Sequence, residues 1–121
     1  MIDAENLRKQ TNAVLEKMEE SLSEDPLFNS ICDGINGAAI SGSYEYMFSI
    51  TSTNSNGEVK YIESKDTIDS IIKVLRYNNY HIEIYQTFSL SGNTQVSLLD
   101  EIPIEPDLTT MFNNLTVTAR W

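Results

Sequence analysis

Two stretches of this chain follow one grammar, an amphipathic helix that runs directly into an alternating strand. In the first, Leu27, Phe28, Ile31, Ile35 and Ala38-Ala39 form a stripe along a helix from Pro26 to Gly42. Tyr44, Tyr46, Phe48 and Ile50 then take every second position, as one face of a half-buried strand does. In the second, Ile68, Ile71, Ile72 and Leu75 mark a helix that ends at Asn78-Asn79. Tyr80, Ile82, Ile84, Phe88 and Leu90 continue as a strand face, interrupted by Gln86. A third alternating run, Leu115, Val117, Ala119 and Trp121, predicts the inner face of a last strand tied into the same sheet.

The punctuation between these runs fits the pattern. Asp25 as N-cap and Pro26 at the first helical position start one helix, and Ser64 to Asp66 offers a cap for the next. Gly42 suits the left-handed residue that ends a helix, and so does either asparagine of Asn78-Asn79. Gly34 and Gly37 lie inside the first of these helices, where each costs about 1 kcal/mol relative to alanine. They predict close backbone approach to another element, the domain's own sheet. Asn56-Gly57 is a hairpin signal whose two-residue turn pairs Asn54 with Val59 and Ser52 with Tyr61. Ser91-Gly92-Asn93 reads as a turn and Gln95 to Leu99 as a further strand. Asp100 to Asp107, with Pro103 and Pro106, reads as an acidic loop, followed by a helical turn from Asp107 to Phe112.

Ahead of these units lies a helix capped by Asp3, with Glu5 in its first turn and Ile2 stapled to Leu7. Its apolar seam, Leu7, Val14, Met18 and Leu22, is narrow, with Thr11 in the same stripe. It suits packing on one neighbour, the chain's own core or a second copy. The expected architecture is α+β: a two-layer helix-on-sheet sandwich with a mainly antiparallel sheet. Residues 25–121 form one domain, and an amphipathic helix within 1–24 is added to it. The repeated unit would set two long strands parallel, with a right-handed crossover.

Composition narrows the function more than it defines it. At 121 residues and 40% hydrophobic content, the chain can bury a core without disulfide or metal. Cys32 is its one cysteine, so neither a disulfide framework within the chain nor a cysteine-based zinc site is expected. No apolar run approaches a membrane span, and the acidic start does not read as a signal peptide. The net charge of −10, with no Lys or Arg between Arg76 and Arg120, argues against direct nucleic-acid contact, which needs a basic patch. It leaves two readings, solubility or an acidic surface that occupies another protein's basic groove.

Catalytic grammar is thin. His81, the single histidine, falls on the strand face opposite Ile82 and Ile84 and reads as a surface residue. Ser41-Gly42-Ser43 lacks the Gly-x-Ser-x-Gly of a nucleophile elbow, and no phosphate loop is present. Cys32, near the helical stripe, reads as a small buried residue. Ser52 to Glu63 aligns with a calcium loop through Asn54, Asn56, Gly57 and Glu63, but its first position is Ser and a strand precedes it. The hairpin is the preferred reading. No cofactor is expected. The acidic loop of Asp100, Glu101, Glu105 and Asp107 reads as a solvated segment or a contact surface. Six tyrosines exceed what a deep core takes, and Tyr46, Tyr61 and Tyr85 are candidates for a binding face, since tyrosine is enriched at interfaces.

Ala38-Ala39-Ile40-Ser41-Gly42, Asn79-Tyr80 and Thr118-Ala119-Arg120-Trp121 together resemble the layout of small phage-encoded α+β accessory and virion proteins. The resemblance spans residues 27 to 121 and transfers no functional residue. Asn79 stands where that layout has glycine, and the acidic stretch 93–114 departs from its shortest forms. It implies a phage protein of the virion or the host cytoplasm. The leading expectation is a non-enzymatic protein-interaction or structural protein, a virion or assembly component. It would form a homo-oligomer or bind other virion or host proteins through Leu7, Val14, Met18 and Leu22, the tyrosines or the acidic loop. The alternative is an inhibitor or ligand sponge acting on a host protein during infection.

Overall fold

The computed structural model describes residues 3–56, 59–90, 93–103 and 112–121. In chain order the elements are α1 (Ala4–Leu22), α2 (Pro26–Ile40), β1 (Glu45–Ser49), β2 (Thr51–Thr53), β3 (Val59–Tyr61), α3 (Lys65–Tyr77), β4 (His81–Leu90), β5 (Asn93–Leu99) and β6 (Phe112–Arg120). The architecture is α+β, as the hydrophobic pattern predicts. A four-stranded sheet in the order β1-β6-β4-β5 is antiparallel at each junction, and β2-β3 form a separate ribbon. β1 and β4 therefore run in the same direction, with the last strand inserted between them.

Each helix starts on a side-chain cap. Asp3, Asp25 and Ser64 accept from the backbone N–H of Asn6, Phe28 and Thr67 respectively, satisfying donors that the helix leaves orphaned. Both helix-into-strand units end in the same way. Gly42 (φ 90) closes α2 with its N–H on Ala39 O, while the N–H of Ser43 reaches Ala38 O. Asn79 (φ 70) closes α3 with its N–H on Arg76 O, while the N–H of Tyr80 reaches Leu75 O. Each is a Schellman closure, and a left-handed residue at this place turns the chain out of the helix and into its strand. The proposed staple from Ile2, the 91–92 turn and the 107–112 helical turn involve residues outside those described.

The core lies between the helices and one sheet face. Ile31 and Ile35 of α2, Ile68, Ile71 and Leu75 of α3, and Ile84, Leu115 and Val117 of the sheet are buried together. Ala119 shares that inner face, and Trp121, tied to the sheet by its N–H on Tyr44 O, lies at its end, 39% exposed. Gly34 lets α2 approach the sheet: a Cβ there would come within 2.2 Å of the Tyr46 ring. Gly37 meets nothing within 4 Å, so only one of the two helical glycines marks a close approach. Ile102, in the loop after β5, is also buried, and the Tyr61 hydroxyl donates to the neighbouring Pro103 carbonyl.

The hairpin forms in a different register from the one Asn56-Gly57 predicts. Thr53 pairs with Val59, Ser52 with Lys60 and Thr51 with Tyr61. The reason lies at Ile50, where the chain changes partners. The Ile50 N–H donates to Leu115 O of β6, whereas its carbonyl accepts from the N–H of Ile62. Thr51 is pinned beside it: its hydroxyl accepts from the Leu115 N–H at 3.0 Å and donates to Asn114 Oδ1 at 2.6 Å. Thr51 is buried with Val59, so both must share a face. The expected register sets them on opposite faces, and a one-residue slip is what reconciles the ribbon with the core. Asn54 Oδ1 accepts from the Asn56 N–H, an Asx turn that starts the connection, while Gly57 lies outside the described residues. The same hairpin replaces the calcium-loop alignment of Ser52 to Glu63.

Glu63 instead faces Asp25, the cap of α2. Its own burial, and Asp25 beside it and hydrogen-bonded to it, push the Glu63 carboxyl above its ordinary value of 4.5. A carboxyl raised in the folded state holds a proton that the unfolded chain releases. Its stabilising contribution is present below 4.5 and is lost as pH rises through the raised folded value. Glu63→Gln is therefore expected to raise the melting temperature at pH 7 and to leave it unchanged near pH 4. The gain is less than about 1 kcal/mol, the size of a solvent-screened pair. Thermal melts at the two pH values check this, and an equal gain at both would rule out the charge mechanism.

Candidate functional site

Three surfaces remain after the core is accounted for. The first is α1, which docks mainly through its second half. Leu22 is buried and Met18 packs against the core, whereas Leu7 and Val14 remain 48% and 59% exposed. Polar contacts fasten α1 to α3: the Tyr77 hydroxyl donates to Glu16 Oε1 at 3.1 Å, and Asn78 Nδ2 donates to Glu19 Oε1 at 3.3 Å. The predicted seam is thus split, one end in the core and the other in solvent.

The second surface is the outer face of the sheet, away from the helices. The odd positions of β4 and their partners in register build it. At one end, Arg120 Nε donates to Glu45 Oε2 at 2.8 Å, and its Nη1 donates to Glu83 Oε1. Glu83 also accepts from the Tyr85 hydroxyl and lies 3.3 Å from His81 Nε2. His81 is on this face and exposed, as its position in the alternation implies. Toward the other end the face becomes apolar. There Tyr85 pairs with Leu98 and Thr87 with Val96 at the β5 edge, whereas Met47 lies on the opposite edge strand, in the row of the buried Thr118 and Glu83. Met47, Val96 and Leu98 are 63%, 61% and 63% exposed.

The candidate tyrosines do not gather into one binding face. Tyr46 and Tyr61 are partly buried against the core, and Tyr85 alone of the three is on the outer face. Asp100 and Glu101 border a small hollow of about 250 Å³ shared with Lys65, Lys73 and Arg76 of α3. Lys65 is held charged by its 2.6 Å contact with Asp69, with Asp66 and Glu101 adding to it. This half of the acidic loop therefore faces cations. Glu105 and Asp107 lie outside the described residues. Among those described, no group of three or more His, Cys, Asp or Glu side chains is arranged to hold a metal ion. No described helix is long and apolar enough to cross a membrane.

The third surface is a cleft of about 780 Å³ between α2, the α3–β4 junction and Trp121. Its floor is apolar, from Phe28, Ile35, Val74 and Leu75. Tyr80 and Trp121 meet edge to face across it, with centroids 6.1 Å apart. Asn36, Asn78 and Asn79 supply amides, and Glu19 is its one charged residue among those described. Cys32 also lines it and is exposed, in place of the burial expected from the helical stripe. It sits one position past Ile31 and so turns away from the core side of α2. Partial burial, with Asp33 and Glu19 nearby, pushes the Cys32 thiol up, which disfavours the nucleophilic thiolate.

No protein-family model matches the chain, nor does any curated protein or solved structure.

Proposed function

We propose that this protein is a non-enzymatic interaction protein that self-associates through the outer face and β5 edge of its sheet. The observation that carries this reading is the exposure of Val96 and Leu98 at the β5 edge, on the sheet face away from the helices, with Met47 exposed on that face at the opposite edge strand. β5 supports it. Asn93 to Leu99 contains no charged residue and no proline, the features with which edge strands commonly discourage pairing. A second copy gains most from such a strand. A chain of net charge −10 repels itself over most of its surface, and an uncharged strand meets its own copy without that penalty.

The non-enzymatic part rests on placement. His81 is on the outer face and Cys32 on α2, across the sheet from it, so the most able base and nucleophile cannot act on one substrate. The phage-like layout extends the reading to a virion or assembly component. Light scattering on the eluting protein is expected to give a dimer or larger species, and Leu98→Glu to give a monomer with unchanged circular dichroism. The charged side chain weakens association at least about tenfold, since a carboxylate must be desolvated or left at a like-charged neighbour. A wild-type monomer at high micromolar concentration would overturn the self-association. Detection of the chain by mass spectrometry in purified particles checks the virion assignment.

A further inference from the structure

The cleft on the helical side has a chemistry of its own, separate from the outer face. Its volume of about 780 Å³ falls in the size range of ligand sites, roughly 300–1,000 Å³. Its charge selects among ligands. Glu19 lines it and, among the described residues, no lysine or arginine does, so an anion would find repulsion and no cationic partner. Its hydrogen-bonding groups select further. Asn78 Nδ2 donates to Val74 O at 2.8 Å and to Glu19 Oε1 at 3.3 Å, which commits the amide's donor end. The Asn78 carbonyl oxygen is left as an acceptor, so this side chain favours a ligand that donates. Trp121 adds an indole, the ring that attracts a cation most strongly, over an apolar floor.

We propose that this cleft binds an organic cation, an ammonium or guanidinium group on an apolar body. The body lies on Phe28, Ile35, Val74 and Leu75, and the charge is directed to Glu19, the Asn78 carbonyl and the Trp121 ring. The Cys32 thiol is pushed up first by burial and then by Asp33 and Glu19, and the part due to the two carboxylates accords with a negative potential there. A free amine and an arginine or lysine side chain of a peptide share this chemistry.

Trp121 is the chain's one tryptophan, so intrinsic fluorescence reports this site directly. Titration with 2-phenylethylamine at pH 7 is expected to give a saturable change at millimolar concentration or below. The neutral isostere 2-phenylethanol should bind at least about fivefold more weakly and 3-phenylpropanoate not at all. Glu19→Gln should weaken the amine about fivefold, while Glu16→Gln, whose side chain contacts Tyr77 outside the cleft, should leave it unchanged. Tighter binding of N-acetyl-arginine methylamide than of the amine assigns the cation to a peptide side chain, and the reverse order assigns it to a free amine. Three results would overturn the proposal: no saturable change with either cation, equal binding of the alcohol, or equal weakening by the two glutamate variants. Neither a monomeric protein nor its absence from particles bears on this test, so the two readings fail separately.

Discussion

Ile50→Ala is expected to destabilise the domain by about 2–5 kcal/mol, the cost of emptying a fully enclosed isoleucine site. Ile50 is 0% exposed and sits where β1 hands over to β2. Its N–H is bonded to Leu115 of β6 and its carbonyl to the N–H of Ile62, so the backbone on either side is held by different strands. Such a site collapses poorly. Moving Ile50 inward would break one of these bonds, and moving β6 would disturb Leu115 and Val117, both also 0% exposed. The loss therefore falls toward the upper part of the range. Urea denaturation should show a lowered midpoint with an unchanged slope, since the surface exposed on unfolding is nearly the same. Ile40→Ala is the matched control: Ile40 is 79% exposed at the end of α2, and its truncation should change stability by no more than about 0.5 kcal/mol. If the two variants cost the same, the partner change at Ile50 does not constrain the core as described.

The same residue shows where reading the chain succeeds and where it stops. Caps, stripes and closures are local, and Asp25, Ser64, Gly42 and Asn79 do what their positions imply. The alternation through Ile50 marks it as inward-facing. What local pattern cannot convey is that Thr51, one residue later, bonds to Asn114 and Leu115, more than 60 positions away. That contact sets the ribbon's register, so the Asn-Gly signal correctly announces a hairpin and misplaces its pairs. Strand order fails for the same reason: β1 and β4 are parallel as the repeated unit suggests, but nothing local announces that β6 enters between them. Ile102 lies with Ile104 among acidic residues and prolines, in a stretch too broken for any period to reveal its burial. The cleft was less legible still. Asn78 and Asn79 read as a helix end and Trp121 as a strand end, and both readings are right, yet only packing sets them opposite α2. The scattered tyrosines show the converse. Abundance at interfaces is a property of the residue type, whereas Tyr46 and Tyr61 are occupied by the domain's own core.

Tyr46 is central to the other large effect. Gly34→Ala is expected to cost up to about 2 kcal/mol, although alanine is the better helix former by about 1 kcal/mol. The added Cβ would fall 2.2 Å from the ring of Tyr46, closer than any real contact, so the ring must move. Its freedom is small, since Tyr46 stacks on Phe48 with centroids 6.1 Å apart and is carried by a strand paired to β6. Overpacking of this kind costs about 1–3 kcal/mol, which exceeds the helical gain. Tyr46→Ala removes the obstruction, and in that background Gly34→Ala should become stabilising by up to about 1 kcal/mol. The change of sign is the diagnostic, a coupling of about 2 kcal/mol between touching residues. Gly37→Ala supplies the reference, because no atom lies within 4 Å of its Cβ and it should stabilise in either background. If Gly34→Ala stabilises the wild-type chain as Gly37→Ala does, then Tyr46 yields and the close approach of α2 to β1 is not held by packing. If it destabilises in both backgrounds, the conflict lies with atoms other than Tyr46. Only the reversal ties the glycine, through its ring contact, to the distance between the two layers of this fold.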